Sequence, residues 1–110
     1  ITDSINASGL YDGEYIFANN KIKKENNSVK ISSNGTLAGS IVTMDQTFKN
    51  LISMDFSLEE AVSLTSYNAS RYLKINNVGV IDKNYISNFV VLDKNLNLKE
   101  VYLNGKKIDG

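Results

Sequence analysis

Two places in this 110-residue sequence hold residue types that could do chemistry. Asp3 follows the apolar step Ile1-Thr2, and an aspartate closing an apolar strand presents a carboxylate able to take up a proton and return it. An aspartate there is equally a common turn or helix-cap residue. The second place is Asn34-Gly35-Thr36-Leu37-Ala38-Gly39-Ser40, where two glycines and several small or hydroxylated residues precede an amphipathic stretch. Glycine lets a ligand approach the main chain without a Cβ in the way, and amides just ahead of a helix suit polar or anionic ligands. An ordinary Asn-Gly turn followed by a helix cap uses the same residues. No GxGxxG run, Walker lysine motif or metal-ligand spacing accompanies it.

What is missing limits the chemistry further. The chain has neither histidine nor cysteine, so it offers no imidazole base, no thiol nucleophile, no disulfide and none of the usual zinc ligands. Asp12, Glu14, Glu59, Glu60, Asp82 and Asp93 are scattered among turns and helix starts and read as caps and surface charge. The chain by itself is therefore expected to hold no metal. Twelve basic and twelve acidic residues cancel, and no basic stripe is interleaved with aromatics, so no nucleic-acid partner is expected. Lys21, Lys23 and Lys24 read as a solvated strand face. No apolar run approaches the length of a membrane span, so no membrane partner is expected. The lack of cysteine fits a cytoplasmic protein. Because the chain starts inside an apolar step immediately before Asp3, it is expected to be a fragment of a longer product.

The elements that must position these residues follow from periodicity. Glu14 to Phe17, Lys21 to Lys24 and Ser28 to Ser32 alternate apolar and polar residues and are separated by Asn19-Asn20 and Asn26-Asn27, which predicts a small antiparallel meander. Tyr15 and Phe17 share one face of their strand and are expected to pack on the helices that follow. Thr43-Met44-Asp45-Gln46 and Ser57-Leu58-Glu59-Glu60 each fit a capping box. They predict a helix from Met44 to about Ser53 and a second from Leu58 to about Ser66. Ile41, Met44, Phe48, Leu51 and Ile52 form an apolar stripe along the first. Asn68 is expected to cap a short third helix ending near Leu73. Strands are then expected at Gly79 to Ile81, Phe89 to Leu92 and Val101 to Leu103, the last turning through Asn104-Gly105 in a type I′ hairpin. Taken alone, this order is α+β.

Several stretches also carry a resemblance: Ile1-Thr2-Asp3-Ser4, Gly9-Leu10-Tyr11-Asp12-Gly13-Glu14-Tyr15, Gly35-Thr36-Leu37-Ala38-Gly39-Ser40, Asn68-Ala69-Ser70-Arg71 and Phe89-Val90-Val91-Leu92-Asp93. In this order, and over essentially the whole chain, they resemble the C-terminal end of the N-acetylglucosamine-6-phosphate deacetylase family of amidohydrolases. The last stretch is common to many amidohydrolases, whereas the pairing of the second with the third is more specific. The resemblance implies an α+β fragment of a larger enzyme. Residues 1–75 would finish a (β/α)8 TIM barrel with its last strand, a β-meander, a substrate loop and helices, and residues 76–110 would supply C-terminal strands of a small β-sandwich domain.

It also implies roles. Asp3 would be the catalytic general base and acid, and Leu37, Ala38 and Gly39 would bind the amino-sugar phosphate mainly through main-chain atoms, with Thr36 and Ser40 as alternative polar contacts. A divalent metal, zinc or iron, would be bound by residues outside this chain, so that the fragment alone would be inactive. The parent is expected to be a homo-oligomer, and in the fragment Phe48, Leu51 and Ile52 are expected among the contacts between copies. The chain departs from the family pattern at Ser4, where a small apolar residue is usual, and at Tyr11 and Ala69, where prolines are. Asn84, Ser87 and Asn88 also replace the usual strand-entry residues. Another amidohydrolase with a different substrate, or a non-catalytic β-rich binding domain, would share part of this pattern.

Overall fold

The structure, a computed structural model, describes residues 1–109 and divides into two compact units, Ile1–Thr47 and Phe48–Gly110. Gly110, at the end of the expected C-terminal segment, lies outside the described residues.

The first unit is built on the expected meander. Strands β1 (Gly13–Phe17), β2 (Asn20–Glu25) and β3 (Ser28–Ile31) pair antiparallel in sequence order. Phe17 pairs with Asn20, so the first turn is Ala18-Asn19, with φ of 46° and 63°. Two positive values in a two-residue loop make the type I′ hairpin that matches strand twist. The sequence reading had placed this turn one residue later, because alanine carries a Cβ penalty in that conformation and asparagine does not. The alternation puts Ile22 and Val29 inward, and with Ala7 they form the buried core, against which Ile5, Tyr15, Phe17, Ile31, Ala38 and Ile41 pack. Tyr15 and Phe17 thus pack within the meander's own core, joined by residues before and after it. Ile41 belongs to this core and not to a helix stripe.

Helix α1 (Met44–Ser53) begins where the sequence predicts, and Phe48, Leu51 and Ile52 on it are half-buried. In the second unit, α2 (Leu58–Val62) has the predicted capping box. The Glu60 amide donates to Ser57 Oγ at 3.2 Å, and the Ser57 amide donates to Glu60 Oε2 at 2.8 Å. The bond from the Ser57 amide to the ionised carboxyl, with the Ser57 hydroxyl beside it, holds Glu60 below its ordinary pKa.

The expected break before a third helix is absent. A π-helical segment (Ser63–Tyr67) runs directly into α3 (Asn68–Tyr72), and Asn68 lies at φ −62°, ψ −38°, inside the helix and not at a cap. Its amide donates five residues back to the Ser63 carbonyl. With Ala69 in place of a proline, the next residue keeps its N–H and is the best helix former, so nothing stops the rod. Ala61 and Ser70 are its buried residues.

Gly79 to Ile81 form no strand either. Gly79 has a φ of +83°, and a Cβ there would lie 2.5 Å from Ser70 Oγ, so a close approach to the helix replaces strand pairing. Strands β4 (Phe89–Leu92), β5 (Leu98–Leu103) and β6 (Lys106–Ile108) form a second antiparallel sheet in that order. Asn104 and Gly105, at φ 51° and 75°, make the predicted type I′ turn. The Asn88 side-chain oxygen accepts the Asn104 amide at 2.8 Å.

One face of this sheet stacks Phe89 on Tyr102 at 4.5 Å beside the Lys107–Glu100 ion pair. Between β4 and β5, Asp93 accepts the amides of Asn95 and Asn97, each at 2.9 Å. With these bonds, led by the one from Asn97, its pKa falls to about 2. The architecture is α+β, with two three-stranded sheets and helices between them in sequence. Among the described residues no helix is long and apolar enough to cross a membrane.

Candidate functional site

The glycine stretch does not open straight into a helix; it first folds back on the meander. The Gly35 amide donates to the Ile31 carbonyl at 2.8 Å, the Ile31 amide to Thr36 at 2.8 Å, and the Ala38 amide to Val29 at 3.0 Å. Lys30 and Leu37 thereby form an antiparallel bridge. Gly35, at φ +72°, supplies the left-handed turn that reverses the chain. Asn34 Oδ1 accepts both the Thr36 amide at 3.1 Å and the Thr36 hydroxyl at 2.8 Å. Thr36 is thus a turn-forming residue whose hydroxyl is already engaged.

The geometry of that bridge decides what Leu37 offers. The bonds flanking it come from Thr36 and Ala38, so the amide and carbonyl of Leu37 itself point to the side away from β3. The residue is 71% exposed. Leu37 therefore presents an open main-chain donor and acceptor on a segment fixed from both sides.

Gly39 is required for a packing reason. Its φ is +149°, and an added Cβ would lie 2.6 Å from Cγ2 of Ile5. The segment carrying Asp3 can approach only because this residue has no side chain. Ser4 and Ser40 then form a parallel bridge, with the Ile5 amide donating to the Ser40 carbonyl at 2.9 Å.

Asp3 immediately precedes that bridge, at φ 51°, and is exposed. Residues 1–3 have no strand of their own. The left-handed backbone, tolerated by aspartate, turns the chain just before it joins the Ser40 segment. The parallel register places Asp3 beside Gly39. The structure thus brings together all four residues singled out in the sequence, Asp3, Leu37, Ala38 and Gly39, on neighbouring segments of one unit. Ala38 contributes differently from the others, since its amide is held by Val29 and it packs on the core.

Sequence reasoning missed the serines that hold these segments together. The Ser4 hydroxyl donates to the Val42 carbonyl at 2.7 Å, the Ser8 hydroxyl to the Ile41 carbonyl at 3.1 Å, and Ser40 Oγ accepts the Val42 amide at 3.1 Å. The Ser4 partner lies 38 residues away, so no local pattern marks it. The one available signal was the hydroxyl at position 4, where the family pattern has an apolar side chain.

Among the described residues no three His, Cys, Asp or Glu side chains come together in a way that could hold a metal ion. The donor set of this chain does not fit a metal centre.

The amidohydrolase family profile matches residues 5–108. The N-acetylglucosamine-6-phosphate deacetylase of Lysinibacillus sphaericus is 36% identical over 107 residues, covering 96% of this chain and 27% of that protein. The N-acetylgalactosamine-6-phosphate deacetylase of Escherichia coli is 27% identical over 108 residues, covering 96% of this chain and 28% of that protein. The crystal structure of N-acetylglucosamine-6-phosphate deacetylase from Thermotoga maritima superposes with a TM-score of 0.89 at 30% identity, covering 97% of this chain and 30% of that one. The chain thus spans between a quarter and a third of the length of the proteins it matches.

Proposed function

The chain belongs to the amidohydrolase family, and we propose that it forms the C-terminal part of a deacetylase that cleaves N-acetylglucosamine 6-phosphate to glucosamine 6-phosphate and acetate. The observation that supports this reading is the Ser4–Ser40 bridge, which brings the segment of Asp3 alongside the segment that carries Leu37 and Gly39. A carboxylate next to fixed amide and carbonyl groups suits hydrolysis of an amide on a polar sugar. The main chain orients the sugar, and Asp3 takes a proton from the attacking water and passes it to the departing amine.

Residues 1–75 are assigned to the end of a (β/α)8 barrel and residues 76–110 to strands of a β-sandwich. The divalent metal, zinc or iron, belongs with residues outside this chain, in keeping with the lack of a ligand set among the described residues. The 110 residues alone are therefore inactive. The parent works in the cytoplasm as a homo-oligomer on a soluble amino-sugar phosphate, without nucleic acid or membrane. A monodisperse monomer in light scattering would contradict the oligomer.

The similarity to an N-acetylgalactosamine-6-phosphate deacetylase supports a second reading, in which the sugar is the C4 epimer. Acetate release by the full-length protein from the two hexosamine phosphates, supplied separately, tests both. Preferred turnover of the glucosamine derivative is expected. Preferred turnover of the epimer establishes the second reading, and turnover of neither overturns both.

A further inference from the structure

Val42 is held at both of its backbone polar groups by serine side chains from different segments. Ser40 Oγ accepts its amide at 3.1 Å, and the Ser4 hydroxyl donates to its carbonyl at 2.7 Å. One residue back, the Ile41 carbonyl accepts the Ser8 hydroxyl at 3.1 Å. Together with the Ile5 amide on the Ser40 carbonyl, these bonds fasten residues 4–8 to residues 40–42. Ser4 is the member of this clasp next to Asp3, and Asp3 is where the chain leaves regular backbone geometry, at φ 51°. Asp3 belongs to no named strand, and the bridge beside it begins only at Ser4. The direction of its carboxylate depends on how firmly the following residue is anchored.

We propose that Ser4 is a positioning residue for the reaction, setting the angle at which the Asp3 carboxylate faces the Leu37–Gly39 main chain through its hydrogen bond to Val42. This rests on the reading of Asp3 as the proton-transfer group. A hydroxyl at position 4 substitutes a directed tie for the packing that an apolar residue would give. The bond is the clasp's tie nearest Asp3, so its loss loosens the chain at that end while the Ile5 and Ser8 bonds remain. Angular misplacement of a general base lowers the rate of the chemical step more than substrate affinity.

The test uses the full-length protein and pairs isosteres. Ser4→Thr keeps the hydroxyl, while Ser4→Val has nearly the same shape without it. Ser4→Val and Ser4→Ala are expected to lower kcat about tenfold with little change in KM, and Ser4→Thr to retain most of it. In an Asp3→Asn background, Ser4→Val is expected to cost nothing further, because a residue that acts through Asp3 has nothing left to position. Melting temperatures of all variants are measured alongside. Equal rates for the threonine and valine variants overturn the inference, as does a tenfold loss that persists in the Asp3→Asn background, which marks a structural role. A normal rate for Asp3→Asn by itself overturns the underlying reading and, with it, the role of Ser4. The two failures are thereby told apart.

Discussion

Replacing Gly39 with alanine puts the packing account of the glycine stretch at risk. At φ +149° an L-residue is strained, and the added Cβ would sit 2.6 Å from Ile5 Cγ2, over an ångström inside ordinary carbon contact. Backbone strain of that kind costs about 1–3 kcal/mol, and forcing a methyl into an occupied site about 1–3 kcal/mol more. Partial relaxation of Ile5, which is only half-buried, brings the expected loss to about 2–4 kcal/mol, a large part of the roughly 5–15 kcal/mol of a whole domain. Urea unfolding followed by tyrosine fluorescence and circular dichroism measures it. The clash is with one named atom, so Ile5→Ala in the same chain should recover about 1–2 kcal/mol of the loss in a double-mutant cycle. A Gly39→Ala variant within about 0.5 kcal/mol of the parent, or strict additivity with Ile5→Ala, would refute the reasoning.

Two further outcomes follow from the second unit. Ser57→Ala removes the hydroxyl that accepts the Glu60 amide and should cost about 1 kcal/mol, read as a lower melting temperature and reduced helicity. The Asp93 pKa lies at about 2, below its ordinary 3.8. Its contribution to the β4–β5 turn is thus complete above about pH 4 and lost as the pH falls through about 2. Amide exchange at Asn95 and Asn97, corrected for intrinsic rates, should accelerate across that window in the parent and show no such step in Asp93→Asn.

Much of the fold was legible because its signals are local. The alternation about Ile22 and Val29 gave the meander, Asn104-Gly105 gave the β5–β6 hairpin, and Ser57 with Glu60 gave a true capping box. Two of the misreadings share a physical cause, which is that the neighbouring helix overrode a residue's own preference. Gly79 to Ile81 has strand composition, yet the backbone at Gly79 is drawn against Ser70. Asn68 is a good cap in isolation, but the π-helical segment arriving at Ser63 leaves no break for it to cap. At the site, it was the resemblance to the family that singled out Asp3 and Leu37 to Gly39, since residue types alone fitted a turn and a cap equally well. That Gly39 yields to Ile5 and that Ser4 reaches Val42 depend on pairing between segments more than thirty residues apart. No local pattern encodes that pairing.

The central claim is that Asp3 carries the proton transfer beside a main-chain sugar site. Its most direct test is the steady-state rate of acetate release from N-acetylglucosamine 6-phosphate by the full-length protein and its Asp3→Asn variant at saturating substrate. The amide keeps the size and most of the hydrogen bonding of the carboxylate but cannot accept the proton. The account predicts a kcat lower by about two to four powers of ten, with KM and melting temperature nearly unchanged. A kcat within a factor of about three of the parent would contradict it, since a positioned general base is worth far more than that.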